Sequence, residues 1–168
     1  MRRLMFALTT LMVFSATAQN GSSDALAKNS WLIEINTGSF ATGSTAFSLT
    51  SVDGFTFYSI GAEAGCFVGD NFAIKAGLGY AGADEVDGSF NYKLGAKYYI
   101  GGTLPVGIDF TGSSAGGESA TWVGLQGGYA WFVASNVSIE PTIRYNASMD
   151  SEKAESSFQG LIGFAFHF

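Results

Sequence analysis

Eight ionisable side chains stand inside apolar runs, and these are the residues of the sequence that could do chemistry. Glu34 lies in WLIEIN, Glu63 in IGAEAG, Lys75 in FAIKAG, Lys93 and Lys97 in FNYKLGAKYYI, Asp109 in GIDF, and Glu140 and Arg144 in SIEPTIRY. Gathered on one face, they can either line a water-filled path for ions or neutralise one another in a closed space. Four acids against four bases leave no net charge. A charge taken out of water without a partner is costly, so a sealed interior must pair what it holds. The balance favours a hydrogen-bonded plug, with Arg144 and Lys93 bonded to carboxylates across the interior. Gly77, Gly79, Gly95, Gly124 and Gly128 fall on the same face and make room for it.

An alternation of period two positions these charges. In FAIKAGLGY, Phe72, Ile74, Ala76, Leu78 and Tyr80 alternate with Ala73, Lys75, Gly77 and Gly79. In FNYKLGAKYYI, Phe90, Tyr92, Leu94, Ala96 and Tyr98 alternate with Asn91, Lys93, Gly95 and Lys97. Such a pattern turns one strand face to apolar surroundings and the other to polar ones. Eight strands are predicted, at 30–40, 55–68, 72–82, 89–100, 104–111, 120–133, 137–147 and 157–168. Most approach the roughly 9–11 residues that a tilted strand needs to cross a bilayer. Gly69-Asp70-Asn71, Gly101-Gly102-Thr103 and Ala134-Ser135-Asn136 read as tight turns; residues 41–54, 83–88, 112–119 and 148–156 read as longer polar loops. Pro141 cannot donate to a sheet ladder and suggests a bulge.

The apolar face is rich in rings. The chain holds 15 Phe, 7 Tyr and 3 Trp, with 23 Gly and only 13% charged residues; a soluble domain carries about 25% charged residues. Trp31, Phe72, Tyr98, Trp131, Phe166 and Phe168 fall toward the short-turn ends of the strands. Tyr80, Phe90, Tyr92, Phe110, Tyr145 and Phe158 fall toward the long-loop ends. Amphipathic rings prefer the headgroup level, so two belts at two membrane interfaces are expected. The fold class that satisfies both faces is all-β: an eight-stranded antiparallel up-and-down transmembrane barrel with short periplasmic turns and longer extracellular loops. Pairing of the last strand with the first closes it and leaves no open edge. A soluble ligand-binding barrel, with its rings in a dry centre, conflicts with the outward belts.

The N-terminus and the remaining motifs fit this frame. Arg2 and Arg3, the apolar stretch from Leu4 to Phe14, and Ala16-Thr17-Ala18 have the order of an export signal, residues 1–18, cut between Ala18 and Gln19. Residues 19–29 are expected to be a flexible lead-in and 30–168 the barrel. Gly77-x-Gly79-x-x-Gly82 has the form of a dinucleotide fingerprint, but it lies in an alternating strand with no helix after it to face a phosphate. Cys66, the lone cysteine, reads as a small apolar filler. His167, the lone histidine, reads as a hydrogen-bonded rim residue, with no nucleophile and orienting acid in evident reach. No clustered metal-ligand set and no basic patch for nucleic acid is present, so neither a metal, a cofactor nor an enzymatic activity is expected. Asp53, Asp84, Glu85, Asp87, Glu118, Asp150, Glu152 and Glu155 are opposed in the loops only by Lys153. They could bridge divalent cations to anionic lipid headgroups, or attract a basic extracellular partner.

The stretches GCFVGDNFAIKAGLGY, GGYAWFVASNVSIEPTIRY and the terminal GFAFHF resemble the small outer-membrane β-barrel family, OmpA/OmpX-like. The resemblance covers nearly all of the chain after the export signal. It implies a bacterial outer-membrane location, contact with lipids and lipopolysaccharide, and a monomer. It also implies that Phe164, Phe166 and Phe168 form the signal read by the barrel-assembly machinery. The periplasmic peptidoglycan-binding domain that some members carry is expected to be absent. The expected function is that of a structural or surface-interaction barrel, serving envelope integrity or adhesion, with a narrow porin-like channel as the alternative.

Overall fold

The computed structural model describes residues 22–37, 47–52, 54–84 and 86–168. A short helix α1 (Ser22–Ala25) precedes ten strands: β1 (Trp31–Asn36), β2 (Ser48–Val52), β3 (Phe55–Gly69), β4 (Phe72–Ala83), β5 (Val86–Ile100), β6 (Leu104–Ala115), β7 (Glu118–Gly128), β8 (Trp131–Ala134), β9 (Val137–Ser148) and β10 (Ser157–His167). All pairings are antiparallel. The circuit β1-β10-β9-β7-β6-β5-β4-β3 returns to β1, so eight strands close a barrel as expected.

The two additional segments arise where a wall strand is interrupted. β1 leaves β3 at Glu34↔Glu63, and β2 takes up the same partner at Ser48↔Ser59. The strand expected at 30–40 therefore stops at Asn36, and part of the loop expected at 41–54 is strand. The single strand expected at 120–133 is split between Gly128 and Trp131. Its register against β9 does not change across the gap, since Gly128 faces Thr142 and Trp131 faces Ile139. Pro141 lies opposite the gap. Tyr129 still donates its N–H to the Pro141 carbonyl at 3.1 Å, but proline has no N–H to return. The residue removes one ladder bond and leaves the register intact, so the expected bulge at Pro141 is not found.

The ends differ from expectation too. Residues 83–88 and 112–119 are mostly strand, with the chain turning at Asp84 and at Gly116-Gly117. Both glycines have positive φ, 57° and 86°, as a two-residue hairpin turn requires. TGSSA and ESA look like loop by composition because both strand faces are polar or small there. Ladder pairing nonetheless carries on to Ala115↔Glu118.

Residues 22–29 are not a free lead-in. Leu26 is buried to 2% exposure and Asn71 donates its N–H to the Leu26 carbonyl at 2.8 Å. Asn29 donates to Phe67 O at 2.8 Å, and the Lys28 N–H to Asp70 Oδ1 at 3.0 Å. Leu26 and Ala25 meet Leu32, Phe67, Ala73, Tyr99, Ala130, Phe132 and Ala165 in an apolar layer. This stopper closes the short-turn mouth. The leader and its Ala18/Gln19 cut lie outside the described residues, as do 38–46, Asp53 and Glu85.

Candidate functional site: the interior ion network

The eight charges named from the sequence all point inward and are buried, with Arg144 at 0% and Lys97 at 1% exposure. Six of the eight strands of the wall supply them, all but β7 and β10. Cross-strand registers explain how they meet. One ring of the interior runs Glu63–Gly77–Lys93–Thr111, and the next runs Gly65–Lys75–Gly95–Asp109–Gly124–Asn146. Long polar side chains thus alternate with glycine. Each can lie across the empty place and reach a partner two strands away.

The contacts form two groups. Nearer the short turns, Lys75 Nζ lies 2.9 Å from Glu34 and 2.8 Å from Glu63, Lys93 Nζ lies 2.8 Å from Glu63, and Lys97 Nζ lies 2.7 Å from Glu34. Lys97 also pairs with Glu140. Asn36 donates to Glu34 Oε1 at 2.9 Å; Ser138 and Tyr99 donate to Glu140 Oε1 at 2.8 and 2.9 Å. Nearer the long connections, the Arg144 guanidinium grips Asp109 with two nitrogens at 2.5 and 2.6 Å. Its Nε donates to Asn146 Oδ1 at 2.6 Å, and Nη1 to Gln126 Oε1 at 3.0 Å. The planar fork of arginine suits such bidentate holding of a carboxylate.

The glycines have unequal parts. A Cβ at Gly77 would lie 2.7 Å from Glu63 Cγ, and one at Gly124 would lie 2.8 Å from Asp109 Oδ1 and against the Arg144 guanidinium; Gly95 is filled by Asp109. Gly79 meets only ordinary contacts, and Gly128 abuts Pro141 O and Thr142. Two glycines join those named from the sequence: Gly65, where Lys75 Cγ would be 3.0 Å from a Cβ, and Gly107, where Gln126 Cγ would be 3.0 Å away. Asn36, Tyr99, Thr111, Gln126, Ser138 and Asn146 join the charges as neutral members of the network. Their inward phase was available from the alternation: Tyr98 faces out, so Tyr99 faces in.

His167 lies in the apolar layer, with ring centroids 5.4 Å from Phe132, 6.1 Å from Phe67 and 6.2 Å from Tyr99. Its Nε2 is 3.3 Å from Ser138 Oγ. Ser138, His167 and Glu140 are residue types of a hydrolytic triad, but their order differs. The Ser138 hydroxyl proton goes to Glu140, so a hydrogen bond between Ser138 and His167 has Nε2–H as donor. The imidazole is thus not placed as the base for a serine nucleophile. All three are buried behind Leu26. Cys66 stands in the wall opposite Trp31.

On the outer surface, Trp31, Phe72, Tyr98, Trp131 and Phe168 at one end, and Tyr80, Phe90, Tyr92, Phe110, Tyr145 and Phe158 at the other, are exposed; Phe166 is half-buried. Phe72 and Tyr98 face each other across β4 and β5 with ring centroids 6.5 Å apart, and Tyr145 is paired with Phe158. Phe164 alternates outward with Phe166 and Phe168. Among the described loop acids, Asp84 accepts the Thr56 N–H and Asp150 lies 3.6 Å from Lys153.

No family model and no curated protein matches the chain. Among solved structures it is similar to the N-terminal β-barrel domain of Pseudomonas aeruginosa OprF, with a TM-score of 0.59 and 17% identity. The match covers 84% of this chain and 98% of that one. The shared property is the fold: a closed antiparallel β-barrel of one domain.

Proposed function

We propose that this chain is an integral outer-membrane β-barrel whose interior is filled and charge-balanced by its own side chains, acting as a structural and surface-interaction protein of the bacterial envelope. One observation carries the reading: the molecule is inside out relative to a water-soluble domain. Arg144 and Lys97 are sealed within, while Leu78 at 61%, Ile143 at 58% and Phe158 at 71% are exposed along the wall. Only a hydrocarbon surrounding makes so much outward apolar surface favourable. A closed barrel also pairs the backbone of its wall strands with one another without water, apart from the one ladder bond that Pro141 removes. The resemblance to small outer-membrane barrels in the sequence and the OprF-like fold agree with it.

In this reading the Leu26 stopper, the lysine–glutamate cluster and the Arg144–Asp109 pair are successive seals along one lumen, so the wall serves as a rigid carrier for what it displays. The outward ring rows lie at the two membrane interfaces, where lipids and lipopolysaccharide are the neighbours. Phe164, Phe166 and Phe168 are the assembly signal, and the acidic connections meet a divalent cation or a basic partner outside. The export signal is removed at Ala18/Gln19. The reading involves no catalysis, cofactor or nucleic acid.

The test is to fractionate cells producing the chain and then reconstitute it in planar bilayers. The expected result is recovery in the outer-membrane fraction, extraction only by detergent, heat-modifiable migration on gels, and silent bilayers. Recovery as a detergent-free soluble protein would overturn the membrane reading. Steady, reproducible conductance would replace the sealed barrel by the narrow channel.

A further inference from the structure

The outer wall is not uniform. Across β7, β9 and β10 the outward residues Gly127, Ile143 and Gly160 stand in one row. A Cβ added at either glycine would meet nothing within 4 Å. The adjacent row holds Tyr129, Pro141, Ile162 and Thr37, the first two joined by Tyr129 N–H and the last two by Thr37 N–H. Together the two rows form a recess of about 610 Å³. Bulky ledges bound it: Leu125, Tyr145 and Phe158 in the row above, and Trp131, Ile139 and Phe164 in the row below.

We propose that this recess is a binding site for one acyl chain of a membrane lipid. The inference rests on the membrane reading above, because the recess lies between the two ring rows, at a height where the surroundings are hydrocarbon. Its lining is mostly aliphatic side chain and glycine backbone, with no charged side chain; of its threonine hydroxyls, Thr37 accepts the Ile162 N–H and Thr142 donates to the Glu140 carbonyl, which suits a methylene chain better than a polar ligand. A second copy of the barrel fits less well. Two convex walls touch along a line, and the projecting Phe158 and Trp131 would meet before the floor was reached. A single flexible chain is thin enough to pass between the ledges and lie against Ile143.

The glycines supply the experiment. Neither has a positive φ, and both open on free space, so Gly127→Leu with Gly160→Leu fills the recess without straining the wall. Wild type and the double variant are refolded in vesicles of dioleoyl phosphatidylethanolamine and phosphatidylglycerol, extracted in mild detergent, and weighed by native mass spectrometry. Heat-modifiable migration verifies that both are folded. The expected result is one retained phospholipid on the wild-type barrel and its loss from the variant. Equal retention by both, no retention by either, or a wild-type dimer that the variant abolishes would overturn the proposal. Failure of both chains to enter vesicles would instead remove the membrane reading beneath it.

Discussion

The two halves of the lumen hold charge by different means. Toward the short turns, three lysines and three glutamates share partners: Lys75 bridges Glu34 and Glu63, Lys97 bridges Glu34 and Glu140, and only Lys93 depends on a single carboxylate. Toward the long connections one cation meets one acid, Arg144 on Asp109, flanked by neutral Asn146, Gln126 and Thr111. A shared cluster tolerates the loss of one member because the others can close on the gap. An isolated pair does not. The halves also end differently, one under an apolar stopper and the other under extended hairpins.

The largest effect should therefore come from Arg144→Met. It leaves Asp109 buried with the Thr111 hydroxyl as its remaining side-chain partner, and stranding one member of a buried pair costs about 3–5 kcal/mol. Urea titration of the barrel in lipid vesicles would measure the loss. Adding Asp109→Leu to the same chain should restore most of it, since two apolar groups need no partner. If the single variant proves harmless, the pair is not what holds the upper half together.

Next in size is Leu26→Ala. Truncating a buried leucine costs about 2–5 kcal/mol, and the lower end applies here because the segment sits at the mouth and can settle. A sharper readout is chemical. His167 is the only histidine, so its acylation by diethyl pyrocarbonate reports on one site. Wild type should react slowly from the short-turn side and the variant quickly. Equal rates would mean that Leu26 is not the seal.

These contrasts show what the sequence could and could not reveal. The charges inside and the rings outside were legible at Lys75, Lys93 and Arg144, because each lies in a strand whose alternation is strong on both faces. The partner of each charge was not. Partners are chosen by register, which places Gly77 between Glu63 and Lys93, and no local pattern specifies that. The stopper was missed for a related reason: Leu26 is one apolar residue in a polar stretch, and only the Phe67, Tyr99 and Phe132 rings arriving from distant strands make it a plug. The extended strands at 112–115 and 118–119 were hidden because alternation fades where both faces are polar.

Lys93→Met probes the tolerant half and should cost less, about 1.5 kcal/mol. Glu63 keeps Lys75 at 2.8 Å, so no carboxylate is left bare. The comparison is sharpest when Arg144→Met and Lys93→Met are unfolded side by side. A shared cluster predicts that the Arg144 variant loses clearly more; equal losses would show that sharing confers no tolerance.

Pro141→Ala should have the smallest effect, and in the opposite direction. The proline faces outward, where its missing N–H leaves the β8–β9 ladder one bond short beside Tyr129. Alanine can donate that bond without a change of register, because Gly128↔Thr142 and Trp131↔Ile139 already lie on one continuous alignment. A typical intramolecular hydrogen bond contributes about 0.5–1.5 kcal/mol. The greater freedom of alanine in the unfolded chain takes back about 0.4–1 kcal/mol. The net gain is thus within about 1 kcal/mol, and amide exchange is the better measurement: residue 141 should gain a protected N–H while Tyr129 keeps the one it donates. An unprotected amide at 141 would show that the gap between β7 and β8 is set by the wall's curvature and not by the missing donor.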